Sequence, residues 1–485
     1  MMRFPSHVNP PSASPIAPRP AHHPRHRLCH LVLVLACVSG GLVAHALVAR
    51  AQRADQTVVN ADGVNPHPVQ LRLPLEKPLS AVARLGKSLF LDVSLSGSGR
   101  QSCASCHSPA NGYNPPNALT VQPGGAQLDK AGYRPPPSLA YLYRQQPFSI
   151  GPDTADIDVP VDLNRLAAAA PAVAAMVPQG GLFWDGRADS LQRQAYMPML
   201  NPVEMANASV ADVARKLAHG RYRQSFAQLF GAAILDDPRQ LVAEAMFAIG
   251  RYEIEDPSFH AFTSKYDAWL QGRARFTPAQ MRGLQVFNDP ARGNCAACHT
   301  SRVGRDGLPP LFTDAQYEAL GVPRNPRLAL NGNPRFHDLG LCGPFRTDLA
   351  GQTQYCGMFL TPTLRNVDRR SVFFHNGVYR TLRQVLEFYN LRSVAPQRIY
   401  PRGADGQLAL DDDLPAAYRG NVDTTDAPFN RHAGDPPPLT ERDIRDLLAF
   451  LHTLDDGYVP APRSLAAGQR DPHRGRSKAV AGALR

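Results

Sequence analysis

Acidic residues are missing from the first 51 positions, where Arg3, Arg19, Arg25 and Arg27 precede an apolar run from Leu31 to Val48. A stretch that is basic, then apolar, and free of acid is not the surface of a folded domain. Residues 1–51 read instead as an export signal, with Ala49-Arg50-Ala51 as a small-x-small cleavage site. The basic part is long for such a signal, so a retained N-terminal anchor is the alternative. Leaving out this segment removes five Arg and lowers the formal charge from +11 to +6, so the basic balance gives little reason to expect a nucleic-acid partner. Period-two alternation is also scarce, which argues against a sandwich or barrel and for a mainly α chain.

Cysteine is sparse and sorts cleanly. Of eight, Cys29 and Cys37 fall in the export segment, four lie in two copies of C-x-x-C-H, and Cys342 and Cys356 remain. An exported chain meets an oxidising compartment, so this last pair is expected to form a disulfide closing a short loop, a constraint of about 3 kcal/mol.

The two pentapeptides are Cys103-Ala104-Ser105-Cys106-His107 and Cys295-Ala296-Ala297-Cys298-His299. Two thiols one helical turn apart reach the two vinyl groups of a haem, and the following histidine turns its ring nitrogen to the iron. From the Cys and His counts, chance would supply about 0.004 such pentapeptides in the whole chain. Zinc would need further Cys or His at close spacing, and neither motif has them. Two covalently bound haem c groups follow, with His107 and His299 as iron ligands.

Each motif is preceded by G-x-x-x-F on a helical stretch, Gly86 to Phe90 and Gly283 to Phe287, which reads as an internal repeat of one haem-binding unit. The expected architecture is therefore two cytochrome c-like haem domains with loop-rich connections, at residues 75–255 and 256–460. The polar, Pro-containing residues 52–74 read as a linker and the basic 461–485 as a disordered tail. Helices are expected from Leu79 to Phe90, through Ser209 to Gly272, after Thr277-Pro278, after Thr381 and after Thr440. Residues 134–181, rich in Pro and Ala without a strong period, read as a long surface excursion.

The ordered motifs LGKSLFLDVSLS, FWDGRADSLQRQAYMPMLNPVEM, GLQVFND, TPTLRNV and FFHNGVYRTLRQVLEFY, set around the two C-x-x-C-H copies, make the chain similar to the bacterial di-haem cytochrome c peroxidase and MauG family over roughly residues 78–457. The resemblance implies an enzyme that takes hydrogen peroxide at the N-terminal haem. Its electrons would come from a small redox donor, a cytochrome c or copper protein, or from a protein substrate in a MauG-like oxidase. A periplasmic location goes with it, and a homodimer is compatible with it.

Matched residue by residue, Trp184 corresponds to the inter-haem tryptophan, Glu204 to the distal acid, and Gln194 and Pro198 to distal-pocket positions. From their neighbours alone, Glu204 is a surface carboxylate and Trp184 a core aromatic. Asp185 and Arg187 read as either a local ion pair or a haem-propionate contact. A non-enzymatic electron carrier is the remaining alternative.

Three departures from the family pattern bear on the chemistry. No histidine lies between His107 and His219, so the residue that blocks the first iron in the peroxidases has no counterpart. Where those enzymes place a methionine on the second iron this chain has Tyr389, with Met358 as the fallback ligand. Pro135 stands where the resemblance places the asparagine of a calcium site, which leaves that site without its amide ligand.

Overall fold

The computed structural model describes residues 62–153 and 176–460. The export segment, the first part of the expected linker and the basic tail lie outside them. Among the described residues ten helices carry the architecture, and the sheet content is three two-stranded ladders. The first half contains α1 (Ala81–Phe90), α2 (Cys103–Cys106), α3 (Leu191–Leu200), α4 (Val210–His219), α5 (Arg223–Phe230) and α6 (Pro238–Glu255). The second contains α7 (Lys265–Leu270), α8 (Pro278–Asn288), α9 (Leu382–Leu391) and α10 (Glu441–Leu451).

The starts of these helices follow from side-chain caps. Ser80 accepts from the Ala83 amide at the head of α1, while Thr277, Thr381 and Thr440 form reciprocal capping boxes with Gln280, Gln384 and Asp443. Each cap satisfies backbone donors that the first helical turn leaves open.

Two apolar clusters divide the chain. One gathers Phe90, Tyr113, Leu217, Phe226, Ile249 and Phe259; the other gathers Phe276, Phe287, Phe312, Leu386, Leu447 and Phe450. The repeated G-x-x-x-F has the same physical role in both. A Cβ on Gly86 would lie 1.8 Å from the Ala248 carbonyl oxygen of α6, and a Cβ on Gly283 would lie 2.0 Å from that of Asp446 on α10. Only a residue without a side chain lets the helix before each C-x-x-C-H cross its partner at that distance. Four residues on, Phe90 and Phe287 fill the cores beneath the crossings.

Two stretches depart from expectation. Residues 134–144 are not a surface excursion: Leu139, Ala140 and Tyr141 are buried. The Tyr141 amide donates to the Phe259 carbonyl at 2.7 Å and its hydroxyl to Asp456 at 2.7 Å, so the segment threads between the clusters. A single extended pass that pairs with no strand leaves no period to read. Part of the expected linker is likewise held down, with Leu71 buried in the second cluster and the Val69 amide 2.9 Å from the Leu270 carbonyl. Cys342 and Cys356 are joined by a disulfide with their Cα atoms 4.9 Å apart.

In an exposed helix interior Gly→Ala stabilises by about 1 kcal/mol. Gly86→Ala and Gly283→Ala are expected to do the reverse, each costing roughly 1–3 kcal/mol through overpacking at the crossing. A denaturant midpoint at or above that of the parent protein in either variant would show that the crossing tolerates a side chain there.

Candidate active site

The two C-x-x-C-H turns are built alike. The His107 amide closes onto the Cys103 carbonyl at 2.9 Å and the His299 amide onto the Cys295 carbonyl at 2.8 Å, which swings each imidazole off the end of its turn. Cys103, Cys106 and His107 line a cavity of about 140 Å³. Cys295, Cys298 and His299 line another of about 470 Å³, within the size range of small-molecule sites. Burial pushes the Cys103 and Cys295 thiols up to about 12 and Cys106 up to about 11, so they stay protonated near neutrality. Burial also pulls both imidazoles down to about 4, which keeps their ring lone pairs free.

His299 Nδ1 donates to the Phe312 carbonyl at 2.8 Å, which leaves Nε2 for the cavity. With a metal on Nε2 this Nδ1 is the donor, a usual way to orient a ligating imidazole. His107 Nδ1 is buried without a well-formed bond, and the backbone carbonyls of Tyr113 and Pro137 face it.

Between the two motifs, the loop from Leu182 to Ala188 is closed by Leu182 N–H to Ala188 O at 2.8 Å. It carries Trp184, which is buried, donates from Nε1 to the Pro135 carbonyl at 2.9 Å, and lies on the walls of both cavities. The neighbouring Asp185 forms the local ion pair, with Arg187 at 2.8 Å, and a second with Arg134 at 2.8 Å, while Arg187 also lines the smaller cavity. Arg134 also forks onto Asp338 at 2.6 and 2.7 Å, so three distant segments meet at one guanidinium.

Helix α3 follows, capped by Ser190, and presents Gln194 to both cavities and Pro198 to the smaller. Gln194 Oε1 is buried with no partner. Pro198, inside the helix, cannot donate to the Gln194 carbonyl four residues back. The turn after α3 brings Glu204 onto the wall of the smaller cavity, facing the His107 turn rather than solvent. Burial pushes its carboxyl up, against the opposing pull of Arg187 and Asn201.

Tyr389 on α9 lines the larger cavity, in ring contact with Phe374, Phe388 and Phe429. Burial holds its phenol far above the ordinary range, so in the protein alone the hydroxyl keeps its proton. Met358 is placed elsewhere: it packs with Tyr317, Leu341 and Leu349 and is not on the cavity wall. As a fallback ligand it is therefore unsupported by position.

Three lining residues escaped sequence reasoning. His375 is buried, 2.9 Å from Asp413 through Nε2, and stacked on Phe359. Arg370 lines the larger cavity. Glu253 lines the smaller one, with Oε2 unpartnered and its carboxyl pushed up to about 8 by burial. Glu253 had one legible signal, a charge four residues after buried Ile249 on the same helical face.

The donors fit haem. Each cavity presents two neutral thiols and one unprotonated imidazole, and apolar walls with a few unpaired polar atoms surround them. At the matched calcium position the Pro135 carbonyl already receives Trp184, and the nearby Asp185 and Asp338 carboxylates are taken by Arg134.

Comparison with known proteins agrees. The family described as di-haem cytochrome c peroxidase matches residues 80–275. The methylamine utilization protein MauG of Paracoccus denitrificans is 36% identical over 408 residues, spanning 81% of this chain and 93% of the relative. The cytochrome c551 peroxidase of Nitrosomonas europaea is 28% identical over 314 residues, 63% of this chain and 72% of its own length. The crystal structure of the diheme peroxidase BthA from Burkholderia thailandensis matches with a TM-score of 0.67 and 37% identity, covering 82% of this chain and 92% of that one. The chain belongs to the di-haem cytochrome c peroxidase and MauG family.

Proposed function

We propose that this chain is a periplasmic di-haem peroxidase, reducing hydrogen peroxide to water with electrons from a small redox protein. Each apolar cluster with its C-x-x-C-H is read as a cytochrome c-like unit. Two haem c groups, attached through Cys103/Cys106 and Cys295/Cys298, supply the redox chemistry, the first receiving peroxide and the second relaying electrons. His107 and His299 would hold the irons, and Tyr389, on the wall of the second cavity, would be the further ligand there.

The observation that carries this reading is the position of Glu204, a buried carboxyl on the cavity wall that His107 also lines. Reduction of one peroxide to two waters consumes two electrons and two protons, and the oxygen that departs must gain a proton. A carboxylate with a raised pKa inside the cavity accepts the proton of the inner oxygen and returns it to the outer one. Gln194 adds a polar oxygen with nothing else to bind, which can orient the oxidant. Pro198, with no donor of its own, keeps its part of that wall apolar. Trp184, on both walls, supplies the aromatic path between the sites. Calcium has no part in this reading, since the groups near Pro135 are already engaged.

One observation favours a second reading, a MauG-like oxidase acting on a protein partner. Tyr389 lines the second site, and no histidine lies between His107 and His219 to close the first. Peroxide consumption sustained by a reduced cytochrome or copper donor supports the peroxidase. Consumption independent of any such donor, yet dependent on a protein substrate, transfers the assignment to the oxidase. A ferric protein that is entirely low-spin and inert to peroxide would leave only an electron carrier.

Glu204→Gln is expected to lower peroxide turnover by roughly 10²–10⁴-fold, the usual contribution of general acid–base catalysis. Because the Glu204 carboxyl is raised, parent turnover should fall as pH drops through a value above the ordinary carboxylate range, and this limb should vanish in the variant. Turnover of the variant within threefold of the parent would remove Glu204 from the chemistry.

Tyr389→Met is expected to raise the potential of the second haem, since a thioether favours the reduced iron relative to a phenolate. An unchanged potential and optical spectrum would show that Tyr389 is a core tyrosine.

A further inference from the structure

Arg370 lies at the junction of the two sites. It follows the short turn Val367–Arg369 of the second half, yet its side chain reaches the first: Nη1 donates to Asn114 Oδ1 at 2.9 Å and Nη2 to the Pro136 carbonyl at 3.4 Å. A third contact, Nε to the Val372 carbonyl, is 3.4 Å. All three acceptors are neutral. Among the described residues no carboxylate pairs with it, whereas the buried guanidinia of Arg134 and Arg365 grip Asp338 and Asp267. Burial alone acts on Arg370 and pulls it down to about 10. It lies on the wall of the larger cavity, which Asn114 and Pro137 also line. It is close enough to His107 to act on that ring's charge.

A half-buried guanidinium without a counter-charge is costly, and its planar fork matches the paired oxygens of a carboxylate. The thioether turns fix one edge of each haem, and the opposite edge of a haem carries two propionate carboxylates. We propose that Arg370 is the anchor of a haem propionate at the junction of the two cavities and holds up the reduction potential of the haem it grips. This rests on the di-haem reading above. A cation paired to the propionate offsets negative charge that would otherwise favour ferric iron. Because its other contacts are Asn114 and Pro136, the same side chain ties the propionate to the segment that faces His107.

The test uses the haem-loaded protein, with loading fixed first by the pyridine haemochrome assay and mass. Absence of haem would sink the di-haem reading itself. With both haems present, two readouts are taken on Arg370→Gln, Arg370→Lys and Asn114→Asp: the propionate bending band in resonance Raman, and each haem potential by optical redox titration. Arg370→Gln should shift the band. It should also raise the ferric-to-ferrous ratio of the haem in the larger cavity at least tenfold at fixed ambient potential, a fall of about 59 mV for one electron. Arg370→Lys, which keeps the charge, should stay within tenfold of the parent. Asn114→Asp places a protein carboxylate on the same guanidinium and should move both readouts in the direction of Arg370→Gln, which keeps the inference testable if the latter loads haem poorly. Unmoved bands in haem-loaded Arg370→Gln and Asn114→Asp overturn the anchor, even if a potential shifts through space.

Discussion

The Arg134 guanidinium is the constraint on which the site depends. It is buried, and it holds Asp185 and Asp338 from segments separated by some 150 residues of chain. A buried charge left without a partner costs about 3–5 kcal/mol, so neither carboxylate can drift without exposing that penalty. Asp185 is the residue after Trp184, and the Leu360 amide donates to the Trp184 carbonyl at 2.9 Å. The indole is thereby fixed from both sides of its peptide and by its own Nε1 bond to Pro135. A ring that must lie on two cavity walls at once needs this much definition, because a rotation that serves one wall withdraws it from the other.

Around that fixed ring the polar groups divide into those that hold the structure and those that are kept for something else. Arg134, Arg365 and Arg346 are each satisfied by carboxylates. Gln101 Oε1, Gln194 Oε1 and Glu253 Oε2 are buried on the cavity walls and have no partner. Natural proteins pair nearly all such atoms, and exceptions concentrated near cavity walls indicate groups whose partners arrive with a ligand. Glu253 is the sharpest case: at neutral pH its carboxyl is held protonated by burial alone. That makes it an uncharged wall rather than a second base, so Glu204 has no competitor of the same kind across the cavity.

Much of this was legible before the structure. The C-x-x-C-H turns, the helix starts at Thr277, Thr381 and Thr440, and the disulfide pair are local statements, made by residues close to each other in the chain. Local spacing is what a sequence displays directly. Glu204 and Tyr389 could be singled out only through family resemblance, because their neighbours alone describe a surface carboxylate and a core tyrosine. Of the residues that were missed, Arg370 and the buried pass through Tyr141 matter through contacts more than a hundred positions away, or through the absence of such contacts, and His375 through Asp413, 38 positions on. No periodicity encodes an ion pair that is not there. Met358 failed for a related reason: proximity in sequence to the right loop says nothing about which way a side chain packs once a disulfide at Cys356 fixes the turn beside it.

The internal repeat gives the two sites a common frame. Both copies share the glycine crossing, the phenylalanine beneath it and the amide-closed turn that aims the imidazole. These are the parts that a covalently attached planar group requires whatever its role. The copies differ on the opposite wall. Across from His107 the chain places a carboxyl and an unpaired amide oxygen, both carried by α3 and the turn that follows it; across from His299 it places a phenol set in an aromatic cluster by α9. A carboxyl raised by burial takes up a proton more readily than an ordinary one, whereas a buried phenol gives its proton up only if a cation stabilises its anion. The first wall is thus suited to proton transfer and the second to fixing a redox state. The division of labour between the two sites is written in which ionisable group each wall carries.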